Sequence, residues 1–492
     1  MKPLLHDALV CLQVAVLVYF VMCNAFLLLL LASSALSMAR HRLEAWHEGR
    51  LRLLGSEAAP RISLVAPAFN EALTVSQSVR SLLTLSYPQL EVVLVNDGSS
   101  DSTIDVLRRD FDLVQVKTVY RRRLHAAPVR AIYRSTTSSG LVVVDKDNGG
   151  KADALNAGLN VATGELVCAI DADTVIEPDG LLRMVRPFLL HDGVVAAGGT
   201  IRAANGCTIR GGRVIAARAP RGLLAGIQAV EYERAFLAGR LGWNRLGGNL
   251  IVSGAFGLFR REATIAAGGY EHATVGEDME LVARLRRHAR DRGLPDRVEF
   301  IPDPVAWTEV PESLRGLGRQ RDRWHRGLAD VLWRHRAAIG RPRYGTLGLV
   351  ALPYFLLVEL FGPVVEAAGL VGLVAGLLTG TLSWPFSVLF FLAAYALGLV
   401  VTVFALVLDE CTYRGYGGLR ERLRLFGFAL LEPFGYRQLT TLWRLRGLVK
   451  FLRGRTDWGE MTRTGFTVEP DAPAVPPGPP AVRRVAGGTS PA

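Results

Sequence analysis

The chain has 492 residues, of which 50% are apolar, with a formal net charge of +12 and a mean hydropathy of +0.25. This length exceeds one ordinary domain, and this hydropathy is high for a wholly soluble enzyme. The five cysteines show no metal-ligand spacing, which argues against a disulfide framework or a cysteine-rich metal site. Because the basic residues lie beside apolar segments and no nucleic-acid-binding motif occurs, nucleic acid is excluded as a partner.

The N-terminal segment is apolar for longer than a membrane crossing requires. No charged residue occurs between Asp7 and Arg40, and about 20 apolar residues suffice to span a bilayer. A cleaved secretion signal is the alternative, but its apolar region would be much shorter. We therefore predict a transmembrane anchor over residues 1–40. The arginines that follow it predict a cytoplasmic linker over residues 41–60 by the positive-inside rule.

Residues 61–343 have the alternating pattern of an α/β domain. Four short β-rich runs, ISLVAPAF, EVVLVND, LVVVDK and ELVCAIDAD, alternate with helical stretches such as residues 152–162. This order is typical of a mostly parallel sheet, in which ligands bind at the carboxyl ends of the strands. Polar residues follow each of these runs, so we expect the functional site at that edge.

Apolar segments return after this domain and predict transmembrane helices over residues 344–378 and 382–408. Residues 409–468 are predicted to be cytoplasmic, interfacial or a third C-terminal membrane segment, because Glu432 and Arg437 interrupt the apolar run from Leu425 to Leu442. Residues 469–492 form a Pro-rich tail, whose composition predicts disorder.

Two acidic motifs follow predicted strands. Asp171 and Asp173 offer hard oxygen ligands one residue apart, which suit Mg²⁺ or Mn²⁺ holding a diphosphate. The alternative is that they are ordinary loop or helix-cap groups. Asp97, in the run Asn-Asp-Gly-Ser, is suited to accept hydrogen bonds from a base or a ribose. A turn followed by the N-cap of the next helix explains that run equally well.

Three further motifs have the same two interpretations. Lys151 follows two glycines and either delivers its ammonium to phosphate oxygens or marks a simple turn. Asp278 begins a helix and is a candidate general base, or else an acidic cap. Gln320, Arg323 and Trp324 lie on an amphipathic helix before the membrane. They offer a diphosphate clamp and an aromatic sugar platform, or a solvated basic face.

Taken together and in order, these motifs resemble the family-2 glycosyltransferases, specifically the processive membrane synthases of the cellulose, hyaluronan and poly-N-acetylglucosamine synthase group. The resemblance is carried by residues 66–71, 97–99, 151–156, 171–173 and 276–278 and by the QRDRW run at 320–324. It implies a nucleotide-sugar-binding GT-A type domain over residues 61–343, which includes the QRDRW interface helix, with transmembrane helices on both sides.

The resemblance also implies a role for each matching position. Phe69 and Glu71 would lie near the uracil or ribose, Asp97 would bind the uridine, Lys151 would approach the nucleotide-sugar, and Asp171 would contact the ribose or ligand water. Asp173, with Asp171, would hold the metal. Asp278 would be the catalytic base, Gln320, Arg323, Trp324 and Glu277 would hold the diphosphate and acceptor, and Ser253 and Gly254 would line the acceptor site.

The implied activity is inverting transfer of a hexose or N-acetylhexosamine from a UDP-sugar to a growing polysaccharide, forming β-linkages, with Mg²⁺ or Mn²⁺ as cofactor. Implied partners are the UDP-sugar donor, a polysaccharide or glycolipid acceptor, membrane lipids and an accessory export subunit. The implied location is the bacterial plasma (inner) membrane, with the catalytic domain in the cytoplasm. Two alternatives are single transfer to a lipid or short acceptor, and a catalytically degenerate membrane scaffold. The presence of Asp97, Asp171, Asp173 and Asp278 together argues against the scaffold.

Overall fold

The structure is a computed structural model that describes residues 2–48, 59–171, 174–380, 384–413 and 415–455. Its strands are β1 (Ile62–Ala68), β2 (Leu90–Asp97), β3 (Leu113–Gln115), β4 (Val129–Ser135), β5 (Leu141–Lys146), β6 (Leu166–Ile170), β7 (Val175–Ile176), β8 (Val194–Ala203), β9 (Thr208–Arg210), β10 (Arg213–Ala216), β11 (Phe256–Arg260) and β12 (Arg297–Thr308).

The α-helices are α1 (Lys2–Glu48), α2 (Val75–Leu83), α3 (Thr103–Asp110), α4 (Lys151–Val161), α5 (Gly180–Leu190), α6 (Leu223–Glu233), α7 (Leu241–Leu246), α8 (Arg261–Ala266), α9 (Glu277–Asp291), α10 (Leu314–Arg334), α11 (Leu352–Tyr354), α12 (Gly362–Thr379), α13 (Trp384–Phe391), α14 (Leu397–Tyr413), α15 (Leu419–Leu431) and α16 (Tyr436–Leu452). Wider π-helical turns occupy Arg234–Arg240, Leu347–Ala351, Phe355–Leu360 and Leu392–Ala396, and short 3-10 turns occupy Arg336–Ala338 and Pro342–Tyr344.

One 10-stranded sheet, in the order β3-β4-β5-β2-β1-β6-β11-β8-β12-β7, forms the centre of the α/β domain. Strands β5, β2, β1 and β6 are parallel to one another, and β11 then joins β6 in the antiparallel sense. Apolar side chains from both faces of the sheet form two buried clusters beneath the helices. The predicted α/β fold class is confirmed, and its four central parallel strands bring their carboxyl ends to one edge.

Helix α4 lies unusually close to this sheet because of one glycine. A Cβ on Gly158 would stand 2.3 Å from a methyl carbon of Val65 on β1, so any larger residue would push the helix away. The same helix begins at Lys151, directly after Gly150, whose φ of +87° is a conformation that glycine adopts freely. The close packing of α4 on β1 and the glycine turn before α4 therefore fix the position of Lys151 at the edge of the sheet.

Two continuous helical segments are long and apolar enough to cross a membrane, His6–Leu43 and Leu347–Thr379. Large apolar side chains along both are solvent-exposed, including Met22 at 68% and Val371 at 66%. Such apolar exposure over a long surface is typical of helices that contact lipid. Helix α1 packs on α7, α12 and α14, so the two apolar segments form one bundle against the α/β domain.

The remaining predicted segments have the following structures. A helix runs from Trp384 to Tyr413 where a further membrane span is predicted over 382–408. Residues 409–468 contribute α15 and α16, which are separated by a break at residues 432–435. Assignment of these segments to the membrane or its interface stays a prediction, and the tail over 469–492 lies outside the described residues.

Candidate active site

The Asp97 carboxylate organises the loop between β5 and α4. Asp97 ends β2 and is only 3% exposed, and it accepts hydrogen bonds from the backbone nitrogens of Gly149 (3.1 Å) and Gly150 (2.8 Å). The ammonium of Lys146, which is fully buried, bridges Asp97 to Asp153 on α4, at 2.6 Å from the latter. Buried charges persist when they are paired and hydrogen-bonded in this way. Asp97 is therefore already engaged, and its predicted contact with uridine stays a prediction.

The loops after β1 and β2 are tied together by side-chain hydrogen bonds. Asn70 adopts a left-handed conformation (φ 55°), its backbone nitrogen donates to Ser99 Oγ at 2.9 Å, and its side-chain oxygen accepts from the Ser100 nitrogen at 2.8 Å. The Glu71 carboxylate accepts from the Thr74 hydroxyl at 2.6 Å. Phe69 next to it is 51% exposed. This arrangement leaves an exposed aromatic ring at the carboxyl end of β1, on the edge where a nucleotide base is predicted.

Lys151 brings together carboxylates that are far apart in the sequence. Its ammonium lies 2.6 Å from Asp171 at the end of β6 and 3.1 Å from Glu277 at the start of α9. Both carboxylates raise the pKa of Lys151 above its usual range, against the opposing effect of burial. Burial raises the pKa of Glu277 against the opposing effect of Lys151, and Asp278 adds to the rise. Lys151 is therefore a fixed cation between two carboxylates that come from distant parts of the sequence.

Asp278 is held beside this group by backbone donors. One of its oxygens accepts from the Gly254 nitrogen at 3.1 Å and the other from the Met279 nitrogen at 2.8 Å. A Cβ on Gly254 would lie 3.4 Å from the Lys151 ammonium and 3.6 Å from an Asp278 oxygen, so the absence of a side chain keeps this space open. A carboxylate fixed by two amides beside this space is a candidate general base, and the catalytic role of Asp278 stays a prediction.

Helix α10 presents the QRDRW residues in two directions. Arg321 and Asp322 are buried and pair with Glu231 (2.5 Å) and Lys450 (2.6 Å), which ties the helix to α6 and α16. Trp324 is 43% exposed, and the Arg321 guanidinium lies 4.7 Å from its ring centre. The residues of this motif therefore differ in their contacts: Arg321 and Asp322 hold the helix in place, and Trp324 offers an aromatic face.

A cavity of about 1280 Å³ joins most of the predicted site residues. Its lining includes Lys151, Asp171, Ser253, Gly254, Glu277, Asp278, Gln320, Arg323 and Trp324. The same cavity is lined by Tyr19 and Asn24 on α1, Glu366 on α12, Tyr395 in the π-helical turn Leu392–Ala396, and Arg437 on α16. Phe69, Glu71 and Asp97 are not among its lining residues, and Asp173 lies outside the described residues. The cavity thus brings together Asp278, the predicted general base, with Lys151 and the predicted acceptor residues. The residues predicted to lie near the uridine are elsewhere along the edge of the sheet.

Two residues that sequence reasoning missed are prominent in this arrangement. Lys146 pairs with both Asp97 and Asp153. The signal that could have indicated it is its position as the last residue of β5, two residues after the four buried apolar residues 141–144. Arg240 lines the cavity at the end of the π-helical turn. Burial lowers the pKa of Arg240 to about 10, against the opposing effect of Asp278. No sequence pattern marks a π-helical turn, so Arg240 offered no signal.

Asp171 offers carboxylate oxygens, the hard ligands that Mg²⁺ and Mn²⁺ prefer. The Lys151 ammonium lies 2.6 Å from that carboxylate, and Asp173 lies outside the described residues, so the metal site at these two aspartates stays a prediction. Elsewhere in the described part of the chain, His125, Asp153 and His272 lie within ligand distance of one another. There, however, Asp153 is already paired with Lys146, and Asn156 donates to His272 Nε2 at 3.1 Å. That second group is better explained as a hydrogen-bonded network.

Comparisons with known proteins identify the class of domain. Two overlapping family models identify glycosyltransferase family 2 domains in this chain. The model of "Glycosyl transferase family 2" matches residues 63–266, and that of "Glycosyl transferase family group 2" matches residues 166–406. The resemblance seen in the motifs is thereby confirmed, together with the GT-A type of fold.

Among curated proteins, the chain is similar to two poly-β-1,6-N-acetyl-D-glucosamine synthases. That of Staphylococcus epidermidis is 30% identical over 288 residues, which are 58% of this chain and 59% of the relative. That of Staphylococcus aureus (strain COL) is 28% identical over 274 residues, 56% of each. The matched region therefore spans somewhat more than half the length of these relatives.

Two solved structures are also similar in fold. A mannosyltransferase from Pyrobaculum calidifontis, in complex with GDP-Man and Mn²⁺, is 19% identical, covers 88% of this chain and 99% of its own, and has a TM-score of 0.48. Glucosyl-3-phosphoglycerate synthase from Mycobacterium tuberculosis is 19% identical, covers 57% and 82%, and has a TM-score of 0.35. Because both TM-scores are below 0.5, neither supports a conclusion about activity.

Proposed function

We propose that this chain is an inverting, processive glycosyltransferase that adds hexose or N-acetylhexosamine units from a UDP-sugar to a growing polysaccharide. The observation that carries the proposal is the single cavity shared by Asp278, Trp324 and the helices at the membrane. An enzyme that extends a polymer needs a general base at the reacting hydroxyl, a platform for the sugar just added, and a path along which the polymer leaves the site. Similarity to poly-β-1,6-N-acetyl-D-glucosamine synthases makes N-acetylglucosamine the first sugar to test.

In the proposed reaction, Asp278 takes the proton from the acceptor hydroxyl as that oxygen attacks the anomeric carbon. The attack comes from the face opposite the diphosphate, so an α-linked donor gives a β-linked product without a covalent intermediate. Gly254 and Met279 hold the Asp278 carboxylate in place through their backbone amides. Positioning of this kind and general-base assistance each lower the barrier to the transfer.

Cationic side chains receive the leaving diphosphate. Lys151 is fixed between Asp171 and Glu277, and Arg323 lines the same cavity. Fixed positive charges in a site that excludes water stabilise the developing charge on the leaving group. Asp171, together with Asp173, would hold the Mg²⁺ or Mn²⁺ ion. When bound, such an ion neutralises phosphate charge as a Lewis acid.

The proposed path out of the site passes an ion pair between the apolar helix α12 and the basic helix α16. Glu366 on α12 pairs with Arg437 on α16 at 2.7 Å, and the Arg437 guanidinium lies 5.8 Å from the ring centre of Tyr395. Ionisable residues in apolar helices usually face a cavity or a substrate path. We therefore place the chain in a bacterial plasma membrane, with the catalytic domain in the cytoplasm and the polysaccharide leaving between these helices. The proposal includes an accessory subunit that takes part in export of the polysaccharide.

Release of UDP tests the donor and the metal. The purified full chain in lipid nanodiscs is given UDP-N-acetylglucosamine or UDP-glucose, with Mg²⁺, Mn²⁺ or EDTA, and UDP is measured. We expect turnover with at least one donor, abolished by EDTA. Turnover that persists in EDTA would contradict the metal assignment, and no turnover with either donor would contradict the proposed function.

A further inference from the structure

A second cavity, of about 710 Å³, lies where the apolar segments meet the catalytic domain. Its lining includes Arg40 and His41, near the end of the apolar segment His6–Leu43, and Thr346, next to the start of Leu347–Thr379. The opposite wall comes from α5, α7, α9 and β12. It shares no lining residue with the cavity around Asp278. This position is the level of the lipid headgroups if both segments cross the bilayer as proposed.

The second cavity is strongly basic. Seven arginines line it, namely Arg40, Arg183, Arg186, Arg245, Arg286, Arg290 and Arg297. Four carboxylates pair with them, namely Asp179, Asp296, Glu299 and Asp303. Among the lining residues of the cavity, the seven arginines outnumber the two carboxylates, Asp296 and Glu299.

The sharing of carboxylates concentrates this positive charge. Asp296 serves both Arg286, at 3.1 Å, and Arg290, at 2.7 Å. Asp303 likewise lies 2.7 Å from His41 and 3.9 Å from Arg186. Within the described residues Arg245 forms no salt bridge and is exposed at the cavity. Arg290 therefore shares one carboxylate with Arg286, and Arg245 adds a further cation, so this wall of the cavity carries positive charge that an outside anion can neutralise.

The floor of the cavity is rigid. Arg286 is 3% exposed in its side chain and donates to the carbonyl oxygens of Gly247 (2.7 Å) and Asn249 (3.1 Å). Asn244 on α7 donates to the carbonyl oxygen of Phe300 on β12 at 2.7 Å. Two walls are thus cross-linked around a fixed guanidinium, which is a preformed site and not a cluster of mobile surface chains.

We propose that this cavity binds a phosphate-bearing anion, and that the anion is the headgroup of an anionic phospholipid of the surrounding leaflet. Arginine forks match phosphate oxygens in pairs, and basic pockets at the cytoplasmic ends of membrane helices attract anionic lipids. The lipid holds the apolar helices and the catalytic domain in register from outside the transfer site. This assignment uses the membrane placement proposed above but no step of the sugar transfer.

Native mass spectrometry of the full chain measures the lipid directly. The protein is released from nanodiscs of phosphatidylcholine with or without phosphatidylglycerol, and retained phosphatidylglycerol is counted. The test variant is Arg245→Gln/Arg297→Gln. The control is Arg109→Gln/Arg122→Gln, which removes the same charge from exposed positions on α3 and on the segment before β4. We expect the test variant to retain phosphatidylglycerol on the order of tenfold less well and the control to match the unmodified chain.

Hydrogen–deuterium exchange of the unmodified chain gives an answer that depends on no variant. Phosphatidylglycerol should slow exchange over residues 181–191 and 241–247, and inorganic phosphate in phosphatidylcholine nanodiscs should not. Protection by inorganic phosphate alone would keep the phosphate site but overturn its assignment to a lipid. Absence of protection by either anion, or equal loss of lipid in the control variant, would overturn the site itself.

Discussion

Replacement of Lys151 by glutamine probes the centre of the proposed site. The change removes the ammonium that lies 2.6 Å from Asp171 and 3.1 Å from Glu277 and leaves their charges unneutralised. Removing one partner of a buried ion pair costs roughly 3–5 kcal/mol. The side chains of Lys151 and Asp171 are 23% and 30% exposed, so solvent screening reduces the expected loss to about 1–3 kcal/mol.

The pH dependence of this loss identifies its cause. Without Lys151, the pKa of Glu277, which burial already raises, rises further. A carboxyl group with a raised pKa in the folded state binds more protons folded than unfolded, so its effect on stability becomes less favourable as the pH rises. The melting temperature of Lys151→Gln should therefore lie below that of the unmodified chain at both pH values, and the difference should be larger at pH 8 than at pH 5.5.

Thermal unfolding in nanodiscs, followed by intrinsic fluorescence at the two pH values, measures this difference. At about 2–4 °C per kcal/mol for a domain of this size, a loss of about 1–3 kcal/mol lowers the melting temperature at pH 8 by roughly 2–12 °C. Lys117→Gln is the matched control, because Lys117 is exposed. A deficit that is equal at both pH values, or one that the control shares, would refute the proposed electrostatic role of Lys151.

Three other substitutions test separate parts of the site. Asp278→Asn should lower transfer by about 10²–10⁴-fold while UDP binding, measured by calorimetry, changes little; full activity would remove Asp278 as the base. Trp324→Ala should shorten the product and weaken acceptor binding, whereas Trp333→Ala should not, although both rings are exposed and each has an arginine over it; equal effects in a product-length assay would exclude a sugar platform. Lys146→Met leaves two buried carboxylates facing each other and should cost about 3–5 kcal/mol, read by denaturant unfolding; a neutral result would contradict the buried bridge.

The sequence predicted the elements that carry local patterns. The β-rich runs correspond to β1, β2, β5 and β6, and the helical stretch at residues 152–162 corresponds to α4. These predictions succeed because apolar runs of β-branched residues and flanking glycines act over a few residues. The motifs that follow those strands are indeed at one edge of the sheet, as the parallel order requires.

What the sequence could not reveal depends on contacts between distant segments. Lys151 and Glu277 are 126 positions apart, and nothing local to either indicates that they meet. The motif around Asp97 suggests a carboxylate that is free to bind a nucleotide. In the structure Asp97 is 3% exposed, because Lys146 and two glycine amides surround it. Burial and pairing of charges arise from tertiary packing, which residue type and spacing do not determine.

Product length tests the central claim most directly. The full chain in nanodiscs is given radiolabelled UDP-N-acetylglucosamine, or radiolabelled UDP-glucose in a parallel reaction. The products of each reaction are separated by size on a gel. We predict a ladder that extends to long products while most donor is still unused, because a processive enzyme keeps its acceptor in the cavity between additions. A single short product would contradict the account and favour transfer to a lipid or short acceptor.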